Sequence, residues 1–312
     1  MKIAVIGGTI VDLVAYVDTA PEYGGTATAK DFHIACGGKG ANQAVAAKRL
    51  GADVLMVSAV GDDLFGATAL ENFRRNGIDT RQIVKVPNVS NGVVMIIVEA
   101  SGQYRSMYYH GASDFLAPEN ILQAADDLKQ CGLFVIQLEI PLETVYAAVD
   151  FANRNNIPVL LNPSPLSGGL SVEKVCTCEF FVLNEMELGI LTGLSDIRAA
   201  AGKLLAQGLK NIILTLGSRG AIWFAEGVEE FVPTLKVDAV DSTGAGDAFT
   251  GCFAKSFAQG RSIRDAIQLA SKYAAMSVTR KGTQDSYLTA EEFEHFLACE
   301  NPAQCYNHSQ PI

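Results

Sequence analysis

The sequence predicts an α/β fold in which a doubly wound, mostly parallel β-sheet is flanked by helices and carries a small β-sheet lid. Three observations lead to this prediction. Short apolar runs recur along the chain, amphipathic helical patterns lie between them, and two segments contain strand patterns with no helix between their members. Alternating strands and helices are typical of a parallel sheet with right-handed crossovers.

The apolar runs have the length of strands, and turn residues such as Gly7 and Gly8 stop them. Continuous runs of this kind suit strands that are buried on both faces of a parallel sheet. The predicted strands cover residues 2–6, 54–60, 133–138, 159–161, 180–183 and 212–216.

Helical patterns fill the intervals between these runs. An apolar stripe at helical spacing allows one side of a helix to pack on a sheet while the other side meets solvent. Two sets of apolar side chains each share a helix face in this way: Ala41, Ala44, Val45 and Leu50, and Phe249, Cys252, Phe253 and Phe257.

Two segments, residues 10–35 and 91–110, break the alternation. In the second segment, residues 93–98 and 104–109 flank a candidate turn that contains Gly102, which predicts a β-hairpin. We interpret these strands as a small sheet that forms a lid over a site, and the alternative is an extension of the main sheet at its edge. Residues 1–312 are predicted to form a single domain, with residues 301–312 as a loose polar tail.

The composition is typical of a soluble enzyme, because 49% of the 312 residues are hydrophobic, 19% are charged and 29 are glycine. The net charge of −10 argues against a general attraction to nucleic acid or to anionic membranes. We expect no signal peptide and no membrane span, since the apolar runs are too short. Seven scattered cysteines argue against a disulfide framework. The expected location is therefore the cytoplasm.

The strongest chemical signal is the sequence DSTGAGD at residues 241–247, which an amphipathic helix follows at once. The backbone N–H groups of Gly244, Ala245 and Gly246 would be free to bind an anion, because a helix start leaves its donors unpaired and carries positive potential. Asp247 would lie beside this anion hole, where a carboxylate could accept the proton of an attacking hydroxyl group. The alternative is an ordinary helix start with a capping aspartate.

A second glycine-rich segment, GGKGAN at residues 37–42, also opens a helix. Its glycines allow a ligand to approach the backbone closely, and Lys39 and Asn42 offer hydrogen-bond donors to hydroxyl groups. The spacing of the glycines does not match a Walker A loop, and no dinucleotide-binding pattern follows the first strand. The alternative is a glycine-rich helix start with a solvated lysine.

Together these two segments resemble the ribokinase-like family of carbohydrate kinases. The resemblance rests on GGKGANQAVAAKRLGA at residues 37–52 and DSTGAGDAFTG at residues 241–251, which stand in the order typical of that family. It implies an α/β core with a β-sheet lid, a sugar bound under the lid and ATP bound toward the C-terminal half. It also implies that Asp247 is the general base.

The resemblance further implies which residues bind the sugar. As isolated residues, Asp12 and Glu139 would more often be solvated loop acids. By their match to the family's motifs, the expected sugar-binding residues are Asp12, Gly38, Lys39, Asn42 and Glu139.

Other positions match the family's nucleotide and magnesium site. Asn184 and Glu187 form the pattern N-x-x-E, in which Asn184 would contact ATP and Glu187 would hold Mg²⁺ through water. The spacing places both on one helix face, and the alternative is a helix cap with a surface glutamate. The remaining residues expected at the ATP site are Thr215, Gly217, Ser218, Gly220, Gly246 and Ser271.

A monovalent-cation site, expected to hold K⁺, is also implied by the resemblance. Carbonyl, hydroxyl and carboxylate oxygens suit a hard ion of low charge. A cation there would stiffen the anion hole without touching the substrate. The expected ligands, several of them through backbone carbonyl groups, are Asp241, Thr243, Ser277, Arg280, Gly282 and Ser286.

The predicted reaction transfers the γ-phosphoryl group of Mg-ATP to the 5-hydroxyl of D-ribose. Several members of the family carry an asparagine two residues before the sugar-binding aspartate, where this chain has Ile10. Because an apolar side chain offers no hydrogen bond to a sugar hydroxyl, 2-deoxyribose is the alternative substrate, and another carbohydrate stays open. A regulator that binds sugar or nucleotide without catalysis is the alternative of a different class. A homodimer joined through the lids is also expected, since an open sheet leaves an edge to cover.

Overall fold

In residues 1–166 and 169–298, which the computed structural model describes, the chain forms two β-sheets and flanking helices. The strands are β1 (Lys2–Ile6), β2 (Ile10–Val17), β3 (Asp31–Gly37), β4 (Val54–Gly61), β5 (Asp79–Val86), β6 (Gly92–Glu99), β7 (Tyr104–Tyr109), β8 (Cys131–Ile136), β9 (Val159–Leu161), β10 (Phe180–Asn184), β11 (Ile212–Thr215), β12 (Gly220–Ala225) and β13 (Val228–Pro233). The predicted tail, residues 301–312, lies outside the described residues.

The helices lie between these strands and continue after the last of them. They are α1 (Lys39–Arg49), α2 (Leu64–Arg75), α3 (Pro118–Gln123), α4 (Ala125–Leu128), α5 (Leu142–Arg154), α6 (Val172–Val175), α7 (Glu185–Thr192), α8 (Ile197–Ala206), α9 (Ala245–Ala258), α10 (Ile263–Ser277) and α11 (Ala290–Ala298). Short 3₁₀ helices cover Gly111–Phe115, Gly217–Arg219 and Gln284–Ser286. Within the described ranges, no helix has the length and apolar character needed to cross a bilayer.

The larger sheet has the strand order β13-β12-β11-β10-β9-β8-β1-β4-β5. The strands from β11 to β5 run parallel, and β12 and β13 add an antiparallel edge. A buried apolar cluster lies on each face: Ile3 and Val5 of β1 point into one, while Ala4 and Ile6 point into the other. This alternation on a strand buried on both faces confirms the predicted doubly wound, mostly parallel sheet.

All six predicted apolar runs are strands of this sheet, with small differences at their ends. Strand β8 begins at Cys131 and ends at Ile136, earlier than predicted at both ends, and β11 ends at Thr215 rather than at residue 216. Strands β5, β12 and β13 were not among the predicted runs. Strands β5 and β13 are the two edge strands of the sheet, each with one neighbouring strand, and β12 lies next to β13.

The smaller sheet has the order β3-β2-β6-β7 and shares no strand with the larger one, so it is not an extension of the main sheet. Strands β2 and β3 are antiparallel, as are β6 and β7, whereas β2 and β6 are parallel. The predicted hairpin is present as β6 and β7, and Gly102 donates its N–H to Glu99 O in the turn. The first predicted segment ended too early, because β3 continues to Gly37.

Helices α1 and α9 pack closely, and this brings their N-terminal ends together. A Cβ atom on Gly251 of α9 would lie 2.7 Å from the carbonyl oxygen of Gln43 in α1. Only a glycine allows two helix backbones to come this near. The two glycine-rich segments recognised in the sequence therefore meet at the carboxyl ends of β1 and β10, where open α/β sheets bind their ligands.

Candidate active site

The segment predicted to form an anion hole is the start of helix α9. Gly244 is its N-cap residue with a φ of +77°, and Tyr287 Oη donates to Gly244 O at 3.0 Å. A Cβ atom on Gly244 would lie 2.3 Å from Thr283 Cγ2, so both the backbone angle and the space require glycine. Ala245, Gly246 and Asp247 then form the first helical turn, where the N–H groups of a helix start favour anions. The N–H of Ala245 donates to Ser242 O at 3.3 Å, a long bond within the same turn.

Asp247 is held by two side-chain amides. Its carboxylate is only 5% exposed. Asn42 Nδ2 donates to Oδ2 at 2.9 Å, and Gln43 Nε2 donates to Oδ1 at 2.9 Å. With one donor on each oxygen, the plane of the carboxylate is fixed beside the anion hole. Asn42 was predicted as a sugar-binding residue from its motif, whereas Gln43 was not predicted as a site residue.

Lys39 and Glu139 lie next to Asp247. The backbone N–H of Lys39, the first residue of α1, donates to Glu139 Oε2 at 2.6 Å. Burial alone lowers the pKa of the Lys39 ammonium, but Asp247, Glu139 and Glu187 more than offset that effect, so its pKa is raised. Lys39 is therefore the positive charge in a cluster of carboxylates, and it stays protonated at neutral pH.

The two predicted sugar-binding acids have raised pKa values. Burial raises the pKa of Glu139 to about 7 and that of Asp12 to about 6, and the negative charge of Asp247 adds to both shifts. Asp12 is the third residue of β2, and Glu139 follows the end of β8. Both carboxyl groups therefore face the same crowded, poorly solvated region as Asp247.

Tyr108 is a candidate residue that the sequence analysis missed. Asp12 stands opposite Val94, and Val94 stands opposite Tyr108, so all three side chains share one face of the small sheet. Burial raises the pKa of the Tyr108 hydroxyl above its usual range, and the charges of Glu139, Asp114 and Asp12 add to the shift. The period-two alternation of the hairpin was the signal that could have placed Tyr108 on this face.

Two cavities meet at the start of α9. The smaller, about 210 Å³, is mainly polar and is bordered by Lys39, Glu187 and Asp247 among others. The larger, about 580 Å³, is mainly apolar, with Phe249 and Val278 in its walls. Both cavities are lined by Thr215, Ser242, Ala245 and Gly246. A polar pocket joined to a larger apolar one suits a ligand with a charged end and a flat apolar end.

All residues predicted for the ATP site border these cavities. Ser271 is buried in the wall of the larger cavity, and its Oγ has no hydrogen-bond partner within the described residues. An unsatisfied buried hydroxyl beside a cavity can bond to a ligand. The predicted residues that line the larger cavity are Thr215, Gly217, Ser218, Gly220, Gly246 and Ser271, and Asn184 lines the smaller one.

Asn184 and Glu187 cap helix α7. Asn184 Oδ1 accepts from Glu187 N at 2.9 Å, and Glu187 Oε2 accepts from Asn184 N at 2.9 Å. This reciprocal pair is a capping box. Asn184 is the N-cap residue, so the two do not share a helix face as predicted. Both nevertheless border the smaller cavity.

Asp241 joins the two segments predicted to hold a monovalent cation. Its Oδ1 accepts from Thr243 N at 2.9 Å, and its Oδ2 accepts from Gly282 N at 3.0 Å. Burial raises the pKa of Asp241, but these N–H bonds outweigh burial and leave the pKa below its usual value. The turn before α9 and the loop around Gly282 are thus tied together by one carboxylate.

The side chains of three other predicted cation ligands already form hydrogen bonds or an ion pair within the protein. Ser277 Oγ donates to Ala274 O, and Ser286 Oγ donates to Thr283 O. The Arg280 guanidinium pairs with Glu292. These three residues would therefore offer a cation their backbone carbonyl groups.

The chain is similar to carbohydrate kinases over most of its length. The model of the pfkB family carbohydrate kinases matches residues 1–290. A deoxyribokinase of Salmonella typhi is 48% identical over 303 residues, covering 96% of this chain and 99% of that protein. A ribokinase of Schizosaccharomyces pombe is 38% identical over 301 residues, covering 92% of this chain and 94% of that protein. The structure of Arabidopsis thaliana ribokinase complexed with ribose and ATP matches with a TM-score of 0.90 and 25% identity, covering 96% of this chain and 99% of that one.

Proposed function

This chain belongs to the pfkB family of carbohydrate kinases, and on that premise we propose that it phosphorylates the 5-hydroxyl of a pentose, with 2-deoxy-D-ribose as the preferred substrate. As an ATP-dependent sugar kinase it would use the γ-phosphoryl group of ATP. The observation that carries the proposal is the position of Asp247. This buried carboxylate lies between the glycine segment at the start of α1 and the polar cavity at the start of α9.

In the proposed reaction, Asp247 orients the 5-hydroxyl and accepts its proton as the oxygen attacks the γ-phosphorus. Phosphoryl transfer depends mainly on alignment and on the stabilisation of charge. The N–H groups of Ala245 and Gly246 and the Lys39 ammonium would stabilise the negative charge of the transferring group. Asp12 and Glu139 would bind the remaining sugar hydroxyls. Tyr108 would cover the sugar from the small sheet.

The polar cavity fits a bound Mg²⁺ ion of the kind that accompanies ATP. Within residues 1–166 and 169–298, no group of three or more His, Cys, Asp and Glu side chains could hold a metal. Mg²⁺ commonly binds through one or two carboxylates, waters and the substrate phosphates, so a full protein cage is not needed. Glu187, at 9% exposure beside the cavity, would hold it through water. The ion would neutralise phosphate charge.

A monovalent cation, K⁺, fits between the two segments that Asp241 joins. The oxygen-rich donor set and low charge of the site suit such an ion. It would be held by Asp241, Thr243, Ser277, Arg280, Gly282 and Ser286. Because Thr243 lies in the turn that leads into α9, and Asp241 ties that turn to the loop around Gly282, these contacts would stiffen the anion hole.

Ile10 supports 2-deoxy-D-ribose as the substrate. Ile10 is 1% exposed, at the start of β2 and two residues before Asp12. A Cβ atom on Gly38 would lie 3.0 Å from Ile10 Cγ1, so this apolar side chain packs on the sugar-side glycine. The relative at 48% identity is a deoxyribokinase, whereas a ribokinase relative has 38%. D-ribose becomes the second candidate, which reverses the order expected from the sequence.

The assay that tests this function is sugar-dependent release of ADP from Mg-ATP in potassium buffer. The sugars compared are 2-deoxy-D-ribose, D-ribose, D-fructose and several nucleosides. We expect the largest kcat/KM for 2-deoxy-D-ribose and a 5-phosphate product. A folded protein that binds ATP but releases no ADP above the sugar-free blank would support a non-catalytic binder instead.

Replacing Ile10 by asparagine is expected to shift the preference toward D-ribose. One new hydrogen bond to the 2-hydroxyl is worth about 1.4 kcal/mol, so the ratio of kcat/KM for ribose over deoxyribose should rise about tenfold. The control is Ile10→Val, which keeps an apolar side chain and should leave the ratio unchanged. An unchanged ratio of the two kcat/KM values in folded Ile10→Asn would contradict the proposal that residue 10 lies beside the 2-position of the sugar.

We also propose a homodimer joined through the outer face of the small sheet. Leu13, Ile34, Met95 and Met107 stand opposite one another across the four strands, on the face away from Asp12. Ile34 is 55% exposed and Met107 is 61% exposed. A contiguous apolar face of this kind marks an interaction site, and a second copy presents the same face to it under two-fold symmetry.

A Met107→Glu variant is expected to be monomeric, because two buried carboxylates would face each other across the two-fold axis. Light scattering at micromolar concentration should give half the mass found for the unchanged chain. Phe231→Glu is the control, since Phe231 is 53% exposed on β13 in the other sheet. The same mass for the unchanged chain and Met107→Glu would rule out this interface.

A further inference from the structure

A relay of side-chain amides reaches Asp247 through Gln43. Gln137 Nε2 donates to Gln43 Oε1 at 2.6 Å, and Gln43 Nε2 donates to Asp247 Oδ1 at 2.9 Å. Gln43 Nε2 also donates to Asn162 Oδ1 at 3.0 Å, and Asn162 Nδ2 donates to Val182 O. Gln43 and Gln137 are completely buried. The Gln43 amide has one orientation, because its oxygen takes a donor and its nitrogen faces two acceptors.

A second relay reaches the other carboxylate oxygen through Asn42. Asn72 Nδ2 donates to Gln284 Oε1 at 2.7 Å, and Gln284 Nε2 donates to Asn42 Oδ1 at 3.0 Å. Asn42 Nδ2 then donates to Asp247 Oδ2. Gln284 is nearly buried and borders neither of the two cavities described above.

Both relays have the same direction. Each amide oxygen accepts from the preceding residue, and each amide nitrogen donates toward Asp247. Hydrogen bonds arranged head to tail polarise one another and strengthen the last bond of the chain. Asp247 therefore receives a fixed donor on each oxygen, which leaves a defined direction for its remaining lone pairs.

We propose that Gln43 and Gln284 are positioning residues of the phosphoryl transfer, which orient Asp247 toward the sugar hydroxyl without touching either substrate. Gln43 does so through its own amide, and Gln284 does so by holding the amide of Asn42. The inference rests on the proposed role of Asp247 as the base. Neutral amides suit this role because a cation in direct contact would stabilise the carboxylate charge more strongly. Such a contact would make Asp247 a poorer acceptor for the proton.

The charge of Asp247 acts on several other charged or titratable groups. Asp12 comes from β2, Lys39 from α1, Glu139 from the segment after β8, and Tyr287 from the segment before α11. All four stay in place in the variants below. A change in pH dependence in those variants therefore comes from the substituted relay residue.

The test is the pH dependence of kcat in Gln43→Glu and Gln284→Met. Gln43→Glu keeps an acceptor for Gln137 but replaces the donor to Asp247 by a second carboxyl group. Because two adjacent carboxyl groups share a proton, we expect kcat at neutral pH to fall about 10²-fold. We expect the acidic limb of the profile to move up by about one pH unit or more. Gln284→Met frees the Asn42 amide to turn, and kcat should fall about tenfold with KM for ATP unchanged.

Gln82→Glu is the matched control. Gln82 Nε2 donates to Asp127 Oδ2 at 2.7 Å on edge strand β5, so the same amide-to-acid change is made beside an aspartate far from the site. Its pH profile should overlay that of the unchanged chain. Melting curves and ATP titration calorimetry identify variants that are folded and bind nucleotide.

Unchanged pH profiles and kcat values in folded Gln43→Glu and Gln284→Met would overturn the proposal. If Gln43→Glu does not fold, the proposal is tested by Gln284→Met alone. A kcat about tenfold lower with an unchanged KM for ATP supports the proposal, and an unchanged kcat overturns it. In Gln43→Glu, a lower kcat without a shift of the acidic limb would indicate general structural weakening, and it too counts against the relay. Absence of sugar-dependent ADP release from the unchanged chain would instead contradict the proposed function, and the relay with it.

Discussion

Asp247→Asn is expected to lower kcat by about 10²–10⁴-fold, the usual contribution of a general base. The asparagine has the same shape but cannot accept the proton of the sugar hydroxyl. Its amide nitrogen would also face the donor of Asn42 or of Gln43. We therefore expect a loss of about 1–3 kcal/mol in the free energy of unfolding, which the fold should survive.

Turnover, ATP affinity and melting temperature should be measured together for this variant. Asp126→Asn is the control, because Asp126 is exposed in α4, away from both cavities. The control should match the unchanged chain in all three measurements. If folded Asp247→Asn keeps a near-normal kcat, Asp247 is not the base.

Gly246→Val is expected to lower kcat/KM for ATP by about 10²-fold without a loss of stability. A Cβ atom on Gly246 would meet no heavy atom within 4 Å, yet Gly246 lines both cavities. The new side chain would therefore take the space of the ligand rather than that of the protein. Glycine is also a poor helix residue, so replacing it in α9 should keep or raise the melting temperature by the equivalent of a few tenths of a kcal/mol.

Gly202→Val in α8 is the matched control, since Gly202 is exposed and its Cβ would also meet no atom within 4 Å. Both variants should melt at or slightly above the temperature of the unchanged chain, and only Gly246→Val should lose activity. Equal kcat/KM for ATP in the two variants would show that nucleotide phosphates do not approach Gly246.

The central strands could be predicted from the sequence because burial on both faces leaves an uninterrupted apolar run. Strand β4, for example, is buried along its whole length. The edge strands carried no such signal. Strand β5 contains Asp79, Arg81 and Lys85, and β13 contains Glu229 and Glu230, because one side of an edge strand meets solvent. Polar residues at those positions are typical of loops as well as of edge strands.

The two glycine-rich helix starts could also be predicted, since such segments carry a chemical signal of their own. The contacts of Gln43 and Gln137 near Asp247 could not be predicted from the sequence. Gln43 lies in a helical pattern and Gln137 in an apolar run, and neither spacing shows which side chains meet across the core. Their partners are 204 and 94 residues away along the chain, distances over which only the tertiary structure brings side chains together. A glutamine inside an otherwise apolar run of the sequence was the one available hint, because a buried amide needs partners.

The small sheet has one further consequence, which follows from the alternation of side chains along β2. Asp12 and Leu13 are neighbours in sequence but lie on opposite faces, one toward the proposed sugar site and the other toward the exposed apolar surface. A dimer built on that surface would order the same strand that is proposed to bind the sugar. Association and sugar binding would then be linked equilibria, so each would strengthen the other by the same factor. Diluting the protein would weaken its affinity for sugar, and saturating it with sugar would tighten the dimer.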